Sequence, residues 1–273
     1  MNELLKRTIS GAVFILLMLG AILWNPWTLI ALILIISAVA LYEYFSIFRL
    51  RGSHPFTIAG IVAGFFILLL VFCERQLLIP SKYLLLLMIP VVGTWFAFVF
   101  VKRTGVIQSM MITVSGLIYI ILPLSCIPFI AQNKLTANEY NPEILTGTLV
   151  IIWTYDSFAY ITGILFGKHK MAPAISPKKS WEGFFGGMIF AVLAGFVYAR
   201  FSDLFNMADW IILGFIIVIA GTAGDLFESL IKREAGIKDS GKIMPGHGGI
   251  LDRFDSLLLI IPFVFLYLYL IKI

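Results

Sequence analysis

Residues 225–255 gather the side chains with which this chain could handle a phosphorylated ligand. Spacings of four and seven put Asp225, Ser229 and Lys232 on one helical face, and a carboxylate, a hydroxyl and a cation in one row suit a metal-bound phosphate. The same residues also read as an amphipathic juxtamembrane helix with a Glu228–Lys232 pair. Next comes a loop, 238–249, with four glycines in twelve residues. Glycine lets a backbone hug a ligand where other residues resist, and Lys238, Asp239, Lys242 and His247 add polar groups beside Gly248 and Gly249. Asp252 and Asp255, three apart, share a face of the following helix. Carboxylates beside lysines and backbone amides answer the needs of a magnesium–nucleotide complex, because magnesium takes one or two protein carboxylates and completes its shell with phosphate oxygens and water.

A second polar segment precedes this one. Lys168, His169 and Lys170 are followed by Ser176, Lys178, Lys179, Ser180, Trp181 and Glu182, with Pro173 and Pro177 stiffening the stretch. Lysines beside a membrane often only set topology or attract anionic lipid; Trp181 and Glu182 are unnecessary for that, and a phosphate or nucleotide clamp is the expectation. Asp156 stands in the middle of an apolar run, where an acid costs roughly 2.5–3.5 kcal/mol on insertion scales. It reads as a carboxylate lining a site, with a hydrogen bond to a neighbouring helix as the alternative. Glu43, near the end of another apolar run, reads as structural. There is no glycine-rich Lys-Ser/Thr phosphate loop and no dinucleotide fingerprint, and His54, His169 and His247 lack zinc-type spacing.

The elements that must position these residues are set by composition. Of 273 residues, 60% are apolar and 13% charged, against roughly 45–50% and 25% in soluble domains. The expected fold is all-α, a polytopic integral membrane protein. Apolar stretches near 8–24, 27–48, 57–73, 83–101, 107–131, 146–167, 183–200, 209–225 and 256–272 approach the ~20 residues that span a bilayer, giving about nine helices. Asn25-Pro26 separates the first two, since a helix does not run unbroken through Pro26. With the N-terminus cytosolic, fifteen of the twenty Lys and Arg residues fall in inner segments and five in outer ones, as the positive-inside rule requires. The first run, after Lys6 and Arg7, is expected to stay as a helix rather than leave as a signal peptide. Cys73 and Cys126 are too few for a disulfide framework. Residues 1–150 read as scaffold helices with short loops, and 151–273 as the catalytic part with its loops in the cytosol. The net charge of +5 is explained by topology, and no nucleic-acid partner is expected.

The 27 residues from Ser229 to Asp255 resemble the signature of the phosphatidate cytidylyltransferase (CDP-diacylglycerol synthase) family. It reads here Ser229-x-x-Lys232-Arg233, Lys238-Asp239, Pro245-x-His247-Gly248-Gly249 and Asp252-Arg253-Phe254-Asp255, with Met244 where the family more often has a branched or aromatic residue. Ser176-Pro177-Lys178-Lys179-Ser180-Trp181-Glu182-Gly183 is also similar, with Ser180 where threonine is common. The resemblance implies transfer of a cytidylyl group from CTP to phosphatidic acid, releasing pyrophosphate. It implies Asp225 and Asp252 as metal ligands, magnesium with a potassium ion alongside, and a homodimer in the bilayer. On this reading Asp225, Asp252, Lys232, Arg233, Lys238 and Arg253 are catalytic. Ser176, Lys178, Lys179, Trp181, Glu182, Ser229, Asp239, His247, Gly248, Gly249, Asp156 and Asp255 bind substrate. The expected location is a bacterial inner membrane, with the site facing the cytosol.

Two other readings fit the residues. A CTP-dependent polyprenol kinase would transfer the γ-phosphate and release CDP. A cation- or proton-coupled transporter would explain Asp156, but transport sites lie near the midplane between helix repeats, away from a loop-borne Lys/Asp/Gly cluster.

Overall fold

The computed structural model describes residues 3–90, 92–93, 100, 104–241, 243 and 248–272, with side chains from Ser10 onward. The protein is an all-α polytopic membrane protein. Seven of the described helices are long and apolar enough to cross a membrane. Two shorter apolar helices, Ser10–Trp24 and Ser81–Pro90, add to them. The expected span 83–101 falls partly on residues outside the described set.

The chain forms two compact units, residues 1–129 with 234–254, and residues 130–233 with 255–273. In the first, α1 (Glu3–Trp24) and α2 (Pro26–Leu50) meet at the expected turn. Asn25 caps α2 by accepting from the amides of Trp27 and Thr28, and Thr28 answers with its hydroxyl, which closes a capping box ahead of Pro26. α3 (Thr57–Arg75) follows, then α4 (Val106–Gly116). The chain runs through a π turn, Leu117–Ile121, into α5 (Leu122–Ala131). The core of this unit is keyed by Phe45. A methyl on Gly60 would lie 2.9 Å from its ring and one on Gly116 2.7 Å, so both glycines let neighbouring helices close on the aromatic.

In the second unit α6 (Glu143–Phe166) and α7 (Trp181–Tyr198) lie side by side through small residues. A methyl on Gly183 would come within 3.2 Å of the Gly163 α-carbon, and one on Gly187 within 2.8 Å of Ala159. Gly163 is thereby engaged inside the chain, and so is Gly167, where a methyl would lie 2.7 Å from the Ser180 hydroxyl oxygen. Between α6 and α7 the chain makes a two-stranded antiparallel ribbon, β1 (Lys170–Ala172) and β2 (Ser176–Ser180), a small exception to the all-helical pattern. Pro177 is tolerated because a two-stranded ribbon has only edges. α8 (Met207–Glu234) and α9 (Leu251–Tyr267, continued by a π turn Leu268–Lys272) complete the chain. Gly236, at φ +71°, follows the end of α8 in the left-handed conformation that favours glycine.

Candidate active site

In the second unit the site is built around Asp225, on α8. One carboxylate oxygen meets the Lys179 ammonium at 2.7 Å, and the other accepts from the Ser229 hydroxyl at 3.2 Å. The helical spacing supplies Ser229; the ribbon supplies Lys179. Within β2 Lys179 is partly buried while its neighbour Lys178 is exposed. The Asp225 side chain keeps 35% of its surface open and Lys179 25%. Behind Asp225, Gly224 lets α8 and α9 touch, since a methyl there would lie 2.6 Å from the Asp255 carbonyl oxygen. Asp255 accepts from the Ser256 amide at 2.6 Å and feels the charges of Asp225, Lys232 and Lys179. The Tyr155 and Thr222 hydroxyls bond at 2.6 Å.

Other expected residues of this unit hold the frame. Lys232 forms a buried ion pair with Glu228, one turn away, so its ammonium is engaged within α8. Arg233 donates to the Ile175 carbonyl oxygen at 3.2 Å and ties the end of α8 to the ribbon turn. Glu182 accepts from the His169 amide at 3.1 Å and meets the His169 ring nitrogen Nδ1 at 2.6 Å. Ser176 pairs with Ala172, and Trp181 lies half-exposed against Phe184 and Phe185. Asp156 is exposed along α6.

In the first unit Asp252 folds back on the chain before it. Its carboxylate accepts from the Gly249 amide at 2.7 Å and the Ser240 amide at 3.0 Å. Gly248 sits at φ +85°, and a methyl there would lie 2.6 Å from an Asp252 oxygen, so two constraints require glycine at once. Lys238, Asp239 and Arg253 are exposed. His247 and Lys242 lie outside the described residues.

Glu43 is the residue whose place sequence reasoning missed. It is buried to 3% exposure on α2, and its carboxylate accepts from the Ser240 hydroxyl and the amides of Ile250 and Leu251. An acid between Tyr42 and Tyr44 on an apolar helix was the available signal; which segment it would bind was not readable.

The donor chemistry suits a hard divalent cation. Asp225 and Ser229 offer only oxygen, and the partly open carboxylate leaves room for the water and phosphate ligands that magnesium retains. Among the described residues no three His, Cys, Asp or Glu side chains cluster as a closed metal cage, and a nucleotide-borne ion does not require one.

The profile of the cytidylyltransferase family matches residues 5–271 of this chain. A phosphatidate cytidylyltransferase of Haemophilus influenzae is 33% identical over 282 residues, covering 97% of this chain and 98% of that protein. Proteins of the same name match over 115 residues, 41% of this chain and 44% of theirs, at 52% identity in Staphylococcus epidermidis and 50% in Staphylococcus saprophyticus.

Proposed function

This chain belongs to the cytidylyltransferase family, and from that premise we propose that it transfers the cytidylyl group of CTP to phosphatidic acid, giving CDP-diacylglycerol and pyrophosphate for phospholipid synthesis. The observation that carries the reading is likeness over nearly the whole length of a phosphatidate cytidylyltransferase. A half-open carboxylate–lysine–hydroxyl set, in a chain with seven described helices long and apolar enough to cross a membrane, agrees with it.

A phosphate oxygen of phosphatidic acid, anionic near neutral pH, attacks the α-phosphorus of CTP. The new P–O bond forms as the bond from the α-phosphorus to the bridging oxygen breaks, and that oxygen leaves with pyrophosphate. The nucleophile needs little general-base help; the difficulty is bringing two polyanions together, so positive charge and positioning dominate. Asp225 and Asp252 are the residues that would hold magnesium, with potassium alongside, and the ion would supply Lewis-acid neutralisation of the phosphates. Lys179, already beside Asp225, turns from carboxylate to phosphate when the nucleotide arrives. Lys178, Lys232, Arg233, Lys238 and Arg253 provide further positive charge, and Ser229 and His247 provide hydrogen-bond donors. Residues 151–273 form the catalytic part and 1–150 the scaffold. The protein works as a homodimer in a bacterial inner membrane. The basic residues favour the cytosolic side for the site.

Product identification tests the reading. Purified protein with CTP, phosphatidic acid and magnesium should yield CDP-diacylglycerol and pyrophosphate. CDP with a phosphorylated lipid would assign a kinase instead, and a folded sample without nucleotide turnover would overturn the enzyme.

A further inference from the structure

We infer that Glu43 is a positioning residue for the reaction proposed above: its buried carboxylate fastens both ends of segment 240–251 and so fixes where Asp252 stands. The role rests on that functional reading, but its geometry does not.

Glu43 and its partners are about two hundred residues apart in sequence. Its Oε2 accepts from the Ser240 hydroxyl at 3.1 Å and the Leu251 amide at 2.8 Å; Oε1 accepts from the Ile250 amide at 3.2 Å. Every hydrogen bond of this side chain among the described residues therefore comes from one segment. The amides of Ile250 and Leu251 open α9, where the first N–H groups of a helix have no partner within it and a negative charge is favoured. An acid on α2 thus does for α9 what an N-cap does from within the chain.

Ser240 makes the link to Asp252. Its hydroxyl goes to Glu43 and its amide to Asp252. A shift of Glu43 moves Ser240 and the start of α9, and both carry Asp252 with them. The glycines fit the same reading. A methyl on Gly241 would strike Glu43 Oε1, and one on Gly249 would lie 2.5 Å from Oε2. Ser240 and the start of α9 close on the carboxylate only because Gly241 and Gly249 lack a side chain. A buried acid is costly in an apolar helix, and here its donors are Ser240 and the two residues that lead from the signature glycines into Asp252.

The test uses the full-length protein in detergent or nanodiscs. Glu43→Gln keeps the volume and one acceptor, and sets an NH2 group against backbone donors. We expect kcat for CDP-diacylglycerol formation to fall by at least about tenfold, the scale for groups that orient a ligand-bearing side chain, with KM for phosphatidic acid little changed. Hydrogen–deuterium exchange should accelerate at Ser240, Gly249, Ile250 and Leu251 and stay unchanged in α3. Gly241→Ala leaves Glu43 in place but wedges the contact, and should give the same kinetic split and the same loosened segment. It carries the test if Glu43→Gln does not fold. Wild-type kcat, or wild-type exchange at Ser240, Gly249, Ile250 and Leu251, in a folded Glu43→Gln or in Gly241→Ala would overturn the inference. If the wild type forms no CDP-diacylglycerol, the proposed function falls, and the exchange rates alone then decide whether Glu43 holds the segment.

Discussion

Asp209 and Asp225 stand on the same helix, α8, and each meets a lysine, yet their surroundings differ in kind. Asp209 meets Lys272 at 2.9 Å, accepts from the Tyr267 hydroxyl at 2.7 Å and from the Asn206 amide at 3.1 Å, and keeps 7% of its side-chain surface. Lys272 also lies over the Phe205 ring. Asp225 has Lys179 and the 3.2 Å bond from Ser229, and keeps 35% of its surface. The first carboxylate is saturated by the protein and closed by aromatic side chains; it staples the end of α9 to the start of α8. The second has acceptor capacity left over, facing open space. A carboxylate–lysine pair is therefore no sign of a site by itself. Unfilled acceptor capacity is the better sign.

The sharpest way to break this contrast is to neutralise each acid in turn. Asp225→Asn should cut cytidylyl transfer on the order of 10²–10³-fold, as loss of a group that organises transition-state charge does, with the unfolding midpoint unchanged because the side chain is a third exposed. Activity surviving in a folded Asp225→Asn protein would remove Asp225 from the site. Lys179→Met should cost about 10–100-fold, whereas Lys178→Met, on the exposed face of β2, should cost no more than about threefold. Equal losses would mean that the lysines act as a diffuse positive field and that the Lys179–Asp225 contact has no functional meaning.

Asp209→Asn reverses the pattern. Removing one partner from a largely buried pair should destabilise the protein by about 1–3 kcal/mol, below the 3–5 for a fully buried one because Lys272 is partly solvated. Turnover per folded molecule should stay within about twofold of wild type. Thermal unfolding in detergent beside a turnover assay reads both quantities. A catalytic loss without destabilisation would show that the two ends of α8 are not divided as argued.

What the sequence let one read follows the range of the interaction. The Asn25-Pro26 break and the Asp225/Ser229 row both depend on residues within a few positions of one another, and both are present. The Glu228–Lys232 pair was the bland alternative for that same stretch, and it is present too. Spacing alone could not assign Lys232 to Glu228 rather than to a ligand. From sequence the ribbon 170–180 shows only a stretch stiffened by Pro173 and Pro177, which oppose a strand prediction; only pairing with each other makes these segments strands. The Lys179–Asp225 and Glu43–Ser240 contacts join residues far apart in sequence, where no periodicity carries information. Polar residue types announce that chemistry is present; which acid is open and which is consumed by the fold is decided by tertiary packing.

The finest comparison removes one hydroxyl from each acid. Tyr267→Phe takes a donor from a carboxylate that water reaches poorly, so the lost bond is not replaced and should cost about 1–2 kcal/mol of stability, with turnover untouched. Ser229→Ala takes a donor from a carboxylate that water can reach, so solvent replaces it and stability should move by no more than about 0.5 kcal/mol. The oxygen that Ser229 held is then free to rotate, and turnover should fall a few-fold, about 1 kcal/mol in activation free energy. The two effects are small, and their assignment to different observables is what the contrast requires. If Ser229→Ala instead lowers the unfolding midpoint as much as Tyr267→Phe does while turnover holds, Asp225 is a second staple and the open surface beside it has no catalytic meaning.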